Sequence, residues 1–141
     1  MGVDPRRATG GRHVTFPVEN DWRWPHFTPD EMRCKCGCGR LPDYSPFTPF
    51  ADFMDWLEGV RVEYGERMTV SSGYRCPESD TSAKRHQVGA ADVKVSHEDA
   101  HRLADIAFKR GVNGIGFNIK GRMGQRFIHL DRVRTGIWSY P

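Results

Sequence analysis

The chain lacks any long apolar run. None of its 141 residues fall in a stretch approaching the roughly 20 consecutive apolar residues that a membrane-spanning helix needs, and the opening "MGVDPRRATGGRHV" has no apolar core of the secretory kind. Position 6 is Arg6 rather than Ser or Thr, which excludes the N-myristoylation pattern. These absences lead to the expectation of a protein made in the cytoplasm without a signal peptide and not inserted into a membrane. Charge imbalance is missing too: 21 Lys plus Arg against 18 Asp plus Glu leave a net +3, interspersed along the chain, a weak pull toward anionic polymers. There is no internal repeat and no low-complexity tract, so solenoids and disordered tails are excluded. Cysteine is scarce at four, and three of the four are crowded into "CKCGCG". What the chain does have is 15 Gly and 9 Pro, the composition of a globular protein with many irregular connections. Its length suits one hydrophobic core without disulfide staples, with function carried largely by loops.

Residues 1–26 are mostly polar with scattered Gly, Pro and aromatics, and read as an N-terminal arm; residues 27–141 read as the domain. "FTPDEMRCKCGCGR" offers Thr28 as N-cap, Pro29 at the first helical position and acids in the first turn. "TPFADFMDWLEGVRVEYG" repeats that start at Thr48 and Pro49, spaces Phe50, Phe53, Met54, Leu57, Val60 and Tyr64 as one helical face, and stops at Gly65. "RMTVSS" reads as a short strand and "GYRCPESDTSAKRHQVG" as a long irregular segment, which in a small domain points to function. "AADVKV" is a strand, "SHEDAHRLADIAFKRG" a helix capped by Ser96 with Asp99 three residues on, and "GIGFNI" and "RFIHLD" a strand pair across a Gly-rich turn. The fold class is therefore α+β: a single domain with helices packed on a small, mostly antiparallel sheet.

Strand side chains alternate faces, so Phe127, His129 and Asp131 share one face of "RFIHLD" while Ile128 and Leu130 anchor the other in the core. The segment "RHQVGAADV" supplies a second imidazole and a second carboxylate, His86 and Asp92, around small residues that let the backbone turn and let another group come close. Three nitrogen or oxygen ligands with an open fourth position are the arrangement of a catalytic zinc. His86, Asp92 and His129 are the candidate ligands, with Asp131 the carboxylate left over. The alternative from spacing alone is that all four are ordinary polar residues of a loop and a strand.

Taken in order, "FTPDEMRCKCGCG", "SSGYRCP", "HQVGAAD", "GIGF" and "FIHLDR" resemble the zinc-dependent D-Ala-D-Ala carboxypeptidases of bacteria and the related peptidoglycan endopeptidases of phages, most of all their small single-domain phage-type branch. The resemblance runs from about Phe27 to Trp138. It implies a Hedgehog/DD-peptidase-like fold and a zinc ion held by His86, Asp92 and His129. It also implies that Asp131 moves protons as general base and that Arg75 grips substrate and steadies the developing oxyanion; Tyr74 and Trp138 suit cleft walls by residue type, with plain core or rim positions the alternative. The substrate implied is the stem peptide of bacterial peptidoglycan, cut by a lysis enzyme after release or by a component of a phage particle alongside other particle proteins. Two departures from the family pattern stand out. Asp92 comes one residue early in His-x-x-Gly-x-Ala-x-Asp, and position 126, where some branches carry a glutamate base, is Arg126. A contraction in the loop leaves Asp92 on the right face, whereas a slip inside the strand would turn it away.

Cys34, Cys36 and Cys38 alternate, so in an extended stretch their side chains share a face, and Cys76 follows the "GYR" motif. Together they suit a second, structural zinc, although Cys-x-Cys is tighter than the usual spacing; plain reduced thiols, or disulfides formed after release, are the other readings. His97 and His101, four apart on a helix, read as a solvated face, and His13 and His26 receive no role. Two further function classes remain: a wall-binding or structural module that keeps the zinc fold without turnover, and a small nucleic-acid-binding protein. The second is disfavoured because "CKCGCGR" lacks the paired spacing of a zinc finger.

Overall fold

The computed structural model of the protein describes residues 21–141. Most of the expected N-terminal arm, His13 included, lies outside the described residues. The six residues of that arm that are described pack against the domain. Trp24 is 2% exposed, donates its indole N–H to Asp55 Oδ1 (2.8 Å), and stacks edge-on against Trp22, Tyr44 and Phe50. The stretch "DWRWPHF" hid this anchor in the sequence, because it is too short a pattern to reveal which way its two tryptophans face.

Helix α1 (Pro29–Met32) starts at the expected Thr28 N-cap and completes a capping box there, with the Thr28 side chain on the Glu31 N–H and the Glu31 side chain on the Thr28 N–H. Helix α2 (Pro49–Tyr64) starts at the Thr48 cap and ends at Gly65 in the left-handed conformation, φ 79°. Its buried face is Phe50, Phe53, Met54, Leu57, Val60 and Tyr64. Burying a side chain such as Leu57 completely contributes about 1.5–3 kcal/mol, and this face forms the largest apolar surface in the core. Strand β1 (Thr69–Ser72) leads into the loop from Gly73, which contains a short helix α3 (Arg85–Val88) that the sequence read as irregular. Strand β2 (Ala90–Lys94), helix α4 (His97–Lys109), strand β3 (Gly114–Asn118) and strand β4 (Phe127–Asp131) follow as expected. Ser96 stands at the N-cap of α4, but its side chain makes no capping hydrogen bond. Strand β5 (Gly136–Ser139) was not anticipated: four residues next to the end of the chain give too short a pattern to read.

The five strands run in the order β1-β2-β4-β3-β5, all neighbours antiparallel except the parallel pair β3 and β5. A single small domain with helices on a mostly antiparallel sheet is thus what the α+β reading described. Ile128 and Leu130 of β4 pack with Leu103 and Ala107 of α4 in one core. The residues between them in β4, His129 and Asp131, point to the opposite face, and that face carries the site.

Candidate active site

Strand register brings the first two functional groups together. β2 and β4 pair without interruption from Ala90↔Asp131 to Lys94↔Phe127, so Asp92 sits directly opposite His129. The strand runs regularly from Ala90 through Asp92, and Gly89 alone links α3 to β2. Its backbone is extended, and a Cβ there would lie 2.6 Å from Phe53 Cβ, so the chain passes α2 too closely for any side chain. Asp92 therefore keeps the face it needs.

The third group, His86, comes from α3. Its Nδ1 lies 2.6 Å from the Gly73 carbonyl oxygen, which only accepts, so Nδ1 carries the proton and Nε2 keeps its lone pair. Nε2 stands 3.4 Å from Asp92 Oδ1, and His129 Nδ1 stands 3.1 Å from the same oxygen. The two imidazoles cross edge-on at 5.0 Å. One donor atom from each of His86, Asp92 and His129 lies within 4.8 Å of the other two, and all three residues are buried. Burial pushes the Asp92 carboxyl up, but the neighbouring His129 and His86 imidazoles outweigh it and hold the group well below the usual carboxylate range.

Asp131 lies behind His129 and is fully buried. Its Oδ2 faces His129 Nε2 (2.7 Å) and Arg85 Nε (3.0 Å), while its Oδ1 accepts from the backbone N–H groups of Val133 (2.9 Å) and Arg134 (3.1 Å). A side chain on Gly114, across the ladder, would collide with this carboxylate. Burial raises the Asp131 carboxyl, yet His129 and the two N–H groups lower it below its ordinary value. His129 is held between two carboxylates. Burial lowers its pKa, and the hydrogen bonds to Asp131 and Asp92 more than offset this, so the imidazole sits above its usual value.

A cleft of about 450 Å³ opens over this cluster, lined among others by Arg75, Arg85, Phe127, Trp138 and Tyr140. Arg75 donates from Nη2 to Asp92 Oδ2 (3.1 Å) and from Nε to Ser72 Oγ (2.9 Å). The buried Asp80 carboxylate lies 3.9 Å from its Nη1. Trp138, on β5, lies over Gly116, where any side chain would strike the indole; its ring is 5.0 Å from His129 and 4.6 Å from the Arg85 guanidinium. Two placements correct the sequence reading. Asp131 does not line the cleft, because alternation gives its face but not its depth. Tyr74 is not a cleft wall: it is 9% exposed, part of the hydrophobic core, and tied by its N–H to Met32 O (2.9 Å). Arg85 was missed, although it is the residue beside His86 and touches both Asp131 and the cleft. His97 and His101 are exposed on α4, and His26 pairs with Glu58.

A second cluster gathers Cys34, Cys36, Cys38 and Cys76, with sulfur atoms all within 4.8 Å of one another. Residues 35–38 form turns rather than the extended stretch in which the cysteines would share a face. Burial pushes the Cys34 thiol up, but the Cys76 N–H and the Ser79 hydroxyl outweigh it and bring it down to about 6.

Two imidazoles and one carboxylate at the floor of a cleft, on the face of the sheet that carries His129, fit a zinc ion with a free coordination position: nitrogen and oxygen donors, close together, two of them backed by further hydrogen bonds. That is the architecture of a zinc hydrolase. Comparison with known families places the chain more narrowly: it belongs to the Peptidase M15 family, which matches residues 25–131. This is a family of zinc-dependent metallopeptidases. No curated protein and no solved structure matches the chain. No helix among the described residues is long and apolar enough to cross a membrane.

Proposed function

We propose that the protein is a zinc-dependent hydrolase of peptide bonds in bacterial peptidoglycan stem peptides, acting as a phage lysis enzyme or wall-degrading particle component. The observation that carries this reading is the convergence of His86, Asp92 and His129 beneath a cleft whose walls bear two guanidinium groups. His86, Asp92 and His129 would hold the metal. Zinc, when bound, supplies Lewis acidity that brings proton loss from water toward neutral pH, so a strongly basic side chain is not demanded of the cleft wall.

The chain's own residues do the rest. Gly73 O fixes the His86 tautomer. Asp131 accepts a hydrogen bond from His129 Nε2–H, orients the ring and raises its basicity, a positioning role in place of the general-base role that its sequence position implied. Arg75, braced by Ser72 and Asp92, presents its remaining N–H groups to a substrate carboxylate or to the oxygen of a tetrahedral intermediate. Arg85 adds positive charge at the same mouth, and Trp138 gives a flat apolar wall. Stem peptides, which carry several carboxylates, match this cationic cleft.

One observation favours a second reading, a wall-binding module without turnover: among the described residues lining the cleft, Asp92 is the one carboxylate, and it is committed as a ligand. The two are separated by measuring zinc content together with hydrolysis of purified peptidoglycan, with and without chelator, and mass spectrometry of the fragments. Chelator-sensitive release of peptides supports the hydrolase and identifies the bond cut. Bound zinc without release supports the binding module.

A further inference from the structure

We propose that Cys34, Cys36, Cys38 and Cys76 bind a second zinc ion, a structural one, which clamps the turn after α1 to the loop that carries Arg75. In a tetrahedral zinc site with Zn–S bonds of about 2.3 Å, the sulfurs lie roughly 3.8 Å apart. Here all four are within 4.8 Å of one another, and Cys36 and Cys76 are at 3.6 Å. Neutral thiols are weak hydrogen-bonding groups that gain little from gathering in fours, one of them at an exposed position. Four sulfurs converging on one point are what a soft tetrahedral ion requires, and four protein ligands leave no open position, so the site is structural rather than catalytic.

The backbone is arranged for the same purpose. Cys76 N–H points at Cys34 Sγ (3.3 Å) and Arg40 N–H at Cys38 Sγ (3.4 Å), hydrogen bonds that offset thiolate charge. The tight Cys-x-Cys spacing is made possible by Gly37 and Gly39, whose left-handed φ values of 107° and 65° fold the chain back so that successive sulfurs converge. Cys34 N–H closes that turn on Arg40 O at 2.9 Å.

Cys76 is next to Arg75, whose own N–H bonds His86 O at 3.1 Å. Tyr74 N–H bonds Met32 O, and a Cβ at Gly73 would lie 2.7 Å from Met32 Cε. Three cysteines from the first segment and one from the second therefore bridge two strips of chain that also supply the Gly73 carbonyl under His86. The zinc claim does not depend on turnover at the cleft.

Elemental analysis of the purified full chain tests it. Wild type should hold two zinc ions per chain. A His86→Ala, His129→Ala double variant should keep one, and when loaded with cobalt(II) should show the intense near-ultraviolet charge-transfer band of thiolate ligation. A Cys36→Ser, Cys38→Ser double variant should also drop from two to one, and trypsin should cut it after Lys35 or Arg40 several-fold faster than wild type. The proposal is overturned if the histidine variant holds no metal and gives no thiolate band, or if the unreduced chain has the mass of a disulfide-bonded form. A histidine variant that still holds as much zinc as wild type would instead sink the cleft assignment, which keeps the two failures apart.

Discussion

The two clusters of metal-ligating side chains are built in opposite ways. The donors over the cleft are nitrogen and oxygen, two of the three set opposite each other by an unbroken strand ladder, and they face a cavity on one side. The cysteines sit on turns and loops and are brought together by glycines in left-handed conformations and by N–H groups directed at sulfur. A rigid sheet suits three ligands around an ion that must still meet a substrate, because the ladder holds the donors in place without a fourth. A loop has no such support, and there the ion itself supplies the order by taking four ligands. The difference separates a site that acts from a site that holds.

The largest expected effect breaks the cleft and leaves the cysteines intact. His129→Ala should lose the zinc at the cleft and reduce peptidoglycan hydrolysis to background, while the thiolate-bound ion stays; zinc per chain and fragment release measure both. Arg75→Ala comes next. It removes a cleft guanidinium together with its hydrogen bond to Asp92 Oδ2, and should lower kcat/KM by about 10²–10³-fold at saturating zinc if it grips the oxyanion, with zinc content measured alongside. A smaller effect is expected from Asp131→Asn, which keeps the size of a carboxylate whose oxygens are all engaged. Zinc affinity should fall about 10–100-fold, as is usual when a group behind a ligand is lost, with activity recovering at saturating zinc. If zinc affinity were unchanged and kcat abolished, Asp131 would be the proton carrier after all.

How much of this was legible follows the same division. The period of two in "RFIHLD" gave the face of His129, and the helical spacing of α2 gave its buried residues, because regular backbones impose a period on the sequence. The face of Asp92 in the contracted "HQVGAAD" was resolvable only in three dimensions, where the β2–β4 register sets it opposite His129. Depth was not legible either. Alternation put Asp131 on the face of His129 but could not show that turn N–H groups and Arg85 enclose it. Nor could it show that Tyr74 turns inward while Arg85, separated from β4 in sequence by β2, α4 and β3, reaches Asp131. The cysteines showed number and crowding but no pairing, since turns leave no period.

The pH response distinguishes the metal-free cleft from the loaded one. In the zinc-free protein His129 is held above its ordinary value, so its stabilising contribution is fully present below about pH 6.5 and is lost as pH rises through the raised folded value. Asp92 and Asp131 are held low, so theirs is present above about pH 4 and is lost as pH falls through the lowered values. Chelator-treated protein should therefore melt highest between these limits and lower at pH 8. Loaded protein should show the opposite trend over pH 6 to 8, because a ligand must give up its proton to the metal. Thermal melts with and without chelator across that range test it, and parallel curves would mean that no metal competes for these histidines.

The smallest expected effect compares two glycines. Gly37, at the cysteine turn, has φ 107° and nothing within 4 Å of the place a Cβ would take, so only the backbone resists a side chain there. Gly89, ahead of β2, has an extended backbone that any residue adopts, yet its Cβ would lie 2.6 Å from Phe53. Gly37→Ala should cost about 1–2 kcal/mol through the left-handed conformation alone, and the loss should be largely recovered when zinc is added in excess, since the ion then enforces the turn. Gly89→Ala should cost about 1–3 kcal/mol through overpacking, lowering Tm by roughly 3–10 °C, and zinc should recover little because the clash lies with α2 and not with a ligand. Equal rescue of both variants by zinc would mean that the contraction before Asp92 is held by the metal rather than by the packing of α2 against the sheet.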